Sequence, residues 1–490
     1  MATERGTAVD GGRRYERVAA HVGWLIEQGT LPAGGRVPSV RQLSQQQGVS
    51  ISTVVQAYRL LEDRGLIEGR PQSGYYVRAT TPEPWVAPAR DATPDPTALS
   101  AAELMLMVLR DIGDPRLVPL GAAVPDAALL PAAKLHRLLT TLSRRCPERG
   151  VAYDAPAGCL ELRVQVARRA LATGCTLTPD DIVTTNGCQE ALNLALQAVC
   201  QPGDAVAVES PTYYGLLQAI ETLGLRAVEI PTHPQEGISL SALRYALAET
   251  PLRAAVVMSN FSNPLGTCLT DERKRALVAL LSEHDVPLIE DDIYGDLCFG
   301  AERPRVAKAY DTRGLVLLCS SFSKTLAPGY RVGWIAAGRY QARVEQLKMA
   351  RNLATATLPQ LAIAEFLANG SYDYHLRTMR RAYARQVAAV VGAVRQYFPS
   401  GTRVVEPAGG MVVWVELPAA VDARVLYARA RAAGISVAPG PLFSAKARYR
   451  SCVRLSAAGW SRPIARALRT LGALAGELGG QAPPDRLARR

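Results

Sequence analysis

A chain of 490 residues is too long for one ordinary core, and its length alone predicts two to four domains. Hydrophobic residues make up 48% and charged residues 20%, the balance of a soluble globular protein. The formal charge of +12 favours an anionic partner without naming one. The sequence has no apolar run long enough to span a bilayer, and the polar stretch Met1–Arg14 lacks the apolar core of a signal peptide, so a cytoplasmic protein with no membrane partner is expected. Nine cysteines are scattered without a CxxC pair, and the five histidines form no HExxH. Neither a disulfide framework nor a metal site is expected, and buried thiols are the plain reading. Lysine is rare, with six in the chain, so a lysine inside a motif is informative.

In chain order, Val18, Val22, Leu25 and Ile26 follow a helical spacing. LPAGG then breaks the chain. Pro38-Ser39 opens a second short helix through Gln47, and Gly48 stops it. Ser50 can cap a third helix to about Arg64, with Val54, Ala57, Tyr58 and Leu61 on one face. Two short runs, Leu66–Glu68 and Tyr75–Val77, flank a turn at Arg70–Gly74 and read as a small hairpin. Helix, helix, turn, helix, hairpin is a winged helix-turn-helix, assigned to residues 11–79.

The segments L-P-x-G-x-x-x-P-S-x-R-x-L, G-V-S-x-x-T-V-x-x-A-Y and R-x-x-x-G-x-Y-V occur here in order. The region resembles the GntR family of bacterial regulators, which implies binding to a double-stranded DNA operator. Ser52, Thr53 and Gln56 face away from the apolar side of the third helix, whose N-terminus can meet phosphates or base edges. Arg41 resembles the family's DNA-contacting arginine, and Arg70 and Gln72 on the wing could reach the backbone or minor groove. Arg41 and Arg70 also read as plain solvated charges. Many relatives carry arginine where this chain has Ile51, which leaves the target sequence open.

Residues 80–98 are rich in proline and read as a stiff, extended linker. From 99 to 478 short β-rich runs alternate with helices, which predicts an α/β domain with a mostly parallel sheet. Strands are expected at 182–185, 205–208, 254–259, 287–290 and 315–319. Later strands at 411–417 and 452–455 are expected in a smaller C-terminal subdomain. Residues 479–490 read as a flexible basic tail.

Six motifs punctuate this region: Tyr153-Asp154-Ala155-Pro156, Thr185-Asn186-Gly187-Cys188-Gln189-Glu190, Glu209-Ser210-Pro211-Thr212-Tyr213, Ser262-Asn263-Pro264, Glu290-Asp291-Asp292-Ile293-Tyr294 and Ser320-Ser321-Phe322-Ser323-Lys324. A backbone turn at a helix start, as at Gly187, Cys188 and Gln189, can cradle a phosphate. With Arg331 and Arg454 further on, their order and spacing resemble fold-type I, aspartate-aminotransferase-like enzymes. The resemblance implies pyridoxal 5′-phosphate, held by Lys324 as a Schiff base. It implies that Ser321, Ser323 and Arg331 serve the phosphate, and that Tyr213 stacks on the ring with Tyr214 as the competing choice. Asn263 and Tyr294 would reach the ring hydroxyl. Asp291 would pair with the ring nitrogen; Asp292 is the alternative, and the D-x-x-Y spacing selects Asp291. Arg454 would grip an α-carboxylate, and Tyr153 would reach the phosphate of another subunit.

A GntR head followed by such a domain resembles the MocR family. That implies a head-to-tail homodimer that regulates transcription in response to the cofactor and a small amino-acid or amine effector. The intact motif set also suits a working aminotransferase of the 2-aminoadipate or broad-specificity type.

Overall fold

The computed structural model describes residues 14–27, 30–32, 34–70, 73–78, 101–111 and 113–480. The expected linker over 80–98, Gln72 and the tail beyond 480 lie outside them. The chain divides into two units, Met1–Asp95 and Pro96–Arg490.

The first unit contains α1 (Arg14–Glu27), α2 (Val40–Gln47), α3 (Ile51–Asp63), β1 (Ile67–Arg70) and β2 (Gly74–Val77). Local chemistry sets each boundary. Ser39 accepts from the Gln42 N–H while Gln42 reaches back, a complete capping box. Gly48 ends α2 in the left-handed region at φ 62°, which glycine adopts without a Cβ penalty. Ser50 starts α3 by accepting from the Thr53 N–H at 3.2 Å. Val54, Ala57, Tyr58 and Leu61 bury the expected face against Val18, Ala19 and Val22 of α1. The Tyr58 hydroxyl keeps a partner inside this core, donating to the Pro38 carbonyl at 2.6 Å, and burial pushes its pKa up to about 12. β1 and β2 pair antiparallel as the wing.

The second unit runs α4 (Ala101–Asp111), β3 (Val118–Pro119), α5 (Ala132–Arg145), α6 (Leu160–Ala170), β4 (Val183–Thr185), α7 (Cys188–Val199), β5 (Ala205–Ser210), α8 (Tyr214–Thr222), β6 (Arg226–His233), β7 (Gly237–Ile238), α9 (Leu240–Glu249) and β8 (Leu252–Val257). It continues with α10 (Asp271–Glu283), β9 (Leu288–Asp291), β10 (Val316–Ser321), β11 (Gly333–Ala336), α11 (Gln341–Asn352), α12 (Thr357–Ala368) and α13 (Ser371–Tyr397). The last elements are β12 (Arg403–Val404), β13 (Val412–Glu416), α14 (Ala423–Ala432), β14 (Ile435–Ser436), β15 (Ala438–Pro439), β16 (Cys452–Ser456) and α15 (Arg462–Leu478).

The large sheet has the order β4-β11-β10-β9-β8-β5-β6-β7. The strands β6, β5, β8, β9 and β10 are parallel, and β11 runs antiparallel to both neighbours. β5, β9 and β10 are buried along their whole length, which explains the apolar runs that open them, Ala205–Val208, Leu288–Ile289 and Val316–Cys319, ahead of polar C-terminal ends. A four-stranded sheet, β12-β13-β16-β15, packs with α13, α14 and α15 as the smaller subdomain. β3 pairs in parallel with β14, tying the segment before residue 120 to that subdomain. The expected strands are found close to their expected places, whereas β3, β6, β7, β11, β12, β14 and β15 have no counterpart among the strands expected from sequence. Pro231 interrupts the pattern of β6, and β11 is only four residues, Gly-Trp-Ile-Ala.

Candidate functional site

The C-terminal ends of parallel strands are where α/β sheets place ligands. Here β9 ends at Asp291, and β10 leads through Ser321 to Lys324. They meet at a cavity of about 190 Å³ whose lining includes Lys324, Asp291, Tyr294, Asn263, Ser323, Arg331, Arg454, Cys188, Gln189 and Tyr213.

The Lys324 ammonium donates to the Ala123 carbonyl at 2.6 Å, and no carboxylate forms an ion pair with it among the described residues. Burial, then the Arg454 guanidinium, lowers its pKa to about 8 against the pull of Asp291. The amine is therefore far easier to deprotonate than an exposed lysine.

Asp291 and Asp292 point to opposite faces of the strand end, as consecutive strand residues do. Asp291 faces the cavity. Its Oδ1 accepts from the Cys188 thiol at 3.4 Å and the Ile293 N–H at 3.1 Å. Burial outweighs these bonds and raises its pKa to about 7. Asp292 turns away to pair with Arg303 and accept from Asn260 at 2.8 Å. The carboxylate left without a cation is the one in the cavity.

At the opposite end, α7 starts at Gly187 with no side-chain cap. Gly187 has φ 79° and ψ 174°, a region essentially reserved for glycine. A Cβ there would lie 2.5 Å from Arg331 Nη2, and a Cβ on Gly333 would lie 2.6 Å from the Gly187 carbonyl carbon. Arg331, itself at φ 54°, donates to the Asn186 carbonyl at 3.1 Å and to Ser323 Oγ at 3.4 Å. The result is an anion cradle: the first-turn N–H groups of α7 and a guanidinium around one spot. Gln189 donates through its side chain to the Gly215 carbonyl, bracing the turn. Ser321 sits behind the cradle, accepting from the Ser323 N–H at 3.2 Å and lining a neighbouring cavity instead.

Arg454, in the middle of β16, is 0% exposed. It donates to Asn263 Oδ1 at 3.2 Å and to the Gly121 carbonyl, while its Nε has no partner. Among the described residues no carboxylate pairs with it. Its charge is met only by these neutral acceptors and by the Phe443 and Tyr214 rings, 5.3 and 5.9 Å away, so it can receive an anion at little further desolvation cost. Tyr213 and Tyr214 both line the cavity, with ring centroids 5.0 Å apart, so their competition stays open. Tyr294 is fully buried beside them, and burial pushes its hydroxyl pKa up. Tyr153 is elsewhere, 84% exposed on the surface.

Several contributors had no sequence signal. Ala123 and Val124 line the cavity from a segment two hundred residues before Lys324, and Met258 adds to the apolar wall. The Cys188 side chain, rather than its N–H alone, touches Asp291.

On the head, Arg41, Ser52 and Gln56 are exposed and Thr53 is half-buried. Ser50 Oγ shares 2.8 Å hydrogen bonds with both Ser52 and Thr53. Arg70 pairs with Glu68 at 2.8 Å and lies 4.4 Å over the Tyr76 ring, so it is less free than the sequence suggests. Arg36, which carries no motif signal, sits against the wing, with its Nε 3.4 Å from where a Cβ on Gly74 would lie.

The site and sheet define an aminotransferase-type domain, and the head a DNA-binding helix-turn-helix. Residues 148–470 match the family "Aminotransferase class I and II" and residues 14–77 match "Bacterial regulatory proteins, gntR family". The chain belongs to the aminotransferase class I and II family and, with its GntR-type head, to the MocR-type regulators that combine the two. It is 41% identical over 445 residues to the uncharacterized HTH-type transcriptional regulator YjiR of Escherichia coli (strain K12), covering 91% of this chain and 95% of that protein. It is also 41% identical over 463 residues to the uncharacterized HTH-type transcriptional regulator YdcR of the same strain, covering 94% and 99%. Among solved structures it is similar to LysN, the alpha-aminoadipate aminotransferase of Thermus thermophilus complexed with N-(5′-phosphopyridoxyl)-L-leucine. The TM-score is 0.71 at 28% identity, covering 78% of this chain and all of that one. Among the described residues, no helix is long and apolar enough to cross a membrane.

Proposed function

We propose that the second unit holds pyridoxal 5′-phosphate at Lys324 and reads an amino compound with it, and that this occupancy regulates how the head binds DNA. The observation that carries the reading is the pair of cations, half-buried Lys324 and buried Arg454, both held by carbonyls of one short segment, Ala123 and Gly121, with no carboxylate paired to either among the described residues. In this reading Arg331, Ser323 and the N–H groups of Gly187, Cys188 and Gln189 bind the phosphate, with Ser321 supporting them. Asp291 faces the ring nitrogen, Tyr213 lies on the ring, and Asn263 and Tyr294 serve the ring hydroxyl. Arg454 takes the effector's carboxylate. Exposed Tyr153 would complete the site of a second subunit in a head-to-tail homodimer. When bound, the cofactor supplies an aldehyde that condenses with amines and a ring that draws electrons.

The residues of this chain do the rest. Lys324, once its Nζ were neutral and engaged by the cofactor's aldehyde, would turn from the Ala123 carbonyl it now meets. A carboxylate on Arg454 competes with the Gly121 carbonyl. Both events loosen one segment, which leads back in sequence through β3 and α4 to the proline-rich stretch that follows the head. A ligand that favours the loosened arrangement shifts the population toward it. The proposed divisions are 11–79 for the head, 80–98 for the linker, 99–478 for the sensing domain and 479–490 for the tail.

The test is a titration of the full-length protein with pyridoxal 5′-phosphate. A visible absorbance should appear in the wild type and be absent in Lys324→Ala, and adding an effector from an amine and amino-acid panel should change both the spectrum and operator affinity. A protein that stays colourless sinks the cofactor assignment. A second reading, an active amino-acid aminotransferase, is favoured by the presence of Lys324, Asp291 and Arg454 in one cavity. Release of a keto acid over repeated turnovers would support it.

A further inference from the structure

The N-terminus of α3 presents an apolar side chain where its polar neighbours are already engaged. Ile51, the first residue of the helix, is 53% exposed. Val55, one turn later on the same face, is half-buried. Ser52 and Thr53 spend hydrogen bonds on Ser50, which caps the helix. Gln56 and Arg59 are exposed beside this ridge.

In a helix-turn-helix domain the N-terminal residues of the second helix of the motif contact base edges in the major groove. An isoleucine there has neither donor nor acceptor, so it cannot read guanine, adenine or cytosine by hydrogen bonding. The apolar group that a base pair presents in that groove is the C5-methyl of thymine. We infer that Ile51 is a specificity-determining residue that packs on a thymine methyl in the operator, with Val55 extending the contact. The inference rests on the head's reading of DNA and names one base that it selects. Arg59, one turn beyond Val55 on the same face, and Arg41, near the start of α2, are both exposed and suit phosphates, so affinity and base choice come from different side chains.

The experiment uses the full-length protein. Operators are selected from random duplex DNA, and each thymine is then replaced singly by deoxyuridine, which removes the methyl and nothing else. At one position per bound head the replacement should weaken wild-type binding about fourfold, the worth of one buried methyl group. Ile51→Ala, a change at an exposed position, should lose most of the discrimination between thymine and uracil there. If a defined operator emerges and no uracil replacement matters, or if Ile51→Ala retains the full discrimination, the inference is overturned while DNA reading by the head stands. If selection returns no preferred sequence, the DNA-reading role itself fails and takes the inference with it.

Discussion

Two helix N-termini in this protein face opposite fates. α3 begins at Ser50, whose hydroxyl accepts from the Thr53 N–H and is shared with Ser52 and Thr53. α7 begins at Gly187, which offers no side chain at all. Every α-helix starts with N–H groups that lack intrahelical partners. In the head they are satisfied from within, because a small domain with a core of a few side chains gains from every cap. In the large unit α7 is held by a deep core, with Leu192, Leu194, Ala195 and Leu196 all buried, so its first turn can be left for a ligand. The difference separates a helix end that is structure from one that is a site.

The comparison breaks most visibly at Gly187. Alanine there must adopt a backbone region that only glycine tolerates, and its Cβ would lie 2.5 Å from the Arg331 guanidinium. The strain alone costs about 1–3 kcal/mol, and displacing Arg331 opens the cradle as well. Gly187→Ala should lower affinity for pyridoxal 5′-phosphate about a hundredfold, read from visible absorbance, while circular dichroism shows the fold retained. An unchanged affinity would mean that the uncapped helix end is not where the phosphate sits.

A second effect, about tenfold, lies in the pH dependence of cofactor capture. With a pKa of about 8, Lys324 is neutral in roughly a tenth of molecules at pH 7 and in most at pH 9. Lowering the pKa of a lysine favours the uncharged form, so the rate of capture should rise with pH and level off above about 8. A lysine with an ordinary pKa would show about a hundredfold rise over the same interval without levelling. Stopped-flow mixing of cofactor-free protein with pyridoxal 5′-phosphate distinguishes the two.

Much of this is legible in the sequence. Caps, glycine stops and the apolar face of α3 are local signals, and Ser39, Gly48, Ser50 and Tyr58 sit where the pattern puts them. Motifs at strand ends likewise mark Lys324 and Asp291. Spacing favours Asp291 over Asp292, and strand alternation is the physical reason that Asp291 lines the cavity and Asp292 does not. What escapes are partnerships across long sequence separations. No local pattern links Ala123 to Lys324 or Gly121 to Arg454, because the partners lie 201 and 333 residues apart in the chain. β11 escapes too, since four residues carry too little pattern to show a strand that inserts antiparallel between β4 and β10. On the wing, Arg70 looks free because its partner Glu68 shares its face only when the strand has formed.

The smaller effects belong to the head. Ser50→Ala removes the cap of α3 and should cost about 1 kcal/mol, the usual value for a lost N-cap. Hydrogen exchange at amides of α1–α3 in the full-length protein should then quicken about fivefold, if those amides exchange through opening of the whole head. Exchange in α7 should be unchanged, since the two units have separate cores. A slowing of α7 exchange on cofactor addition, in the same experiment, would show the uncapped end gaining from a ligand what α3 already has from Ser50.

Arg41→Ala carries the smallest effect and the sharpest diagnosis. Arg41 is exposed on α2, outside the Ser39–Gln42 capping box, so its loss should leave the head's stability nearly unchanged. If its guanidinium meets a phosphate, the variant should bind all sequences a few-fold more weakly, and the slope of log affinity against log salt should fall by about one. A base contact would instead relax preference at one operator position and leave the slope alone. Neither change would mean that Arg41 is a solvated surface charge and that the head engages DNA through α3 and the wing without it.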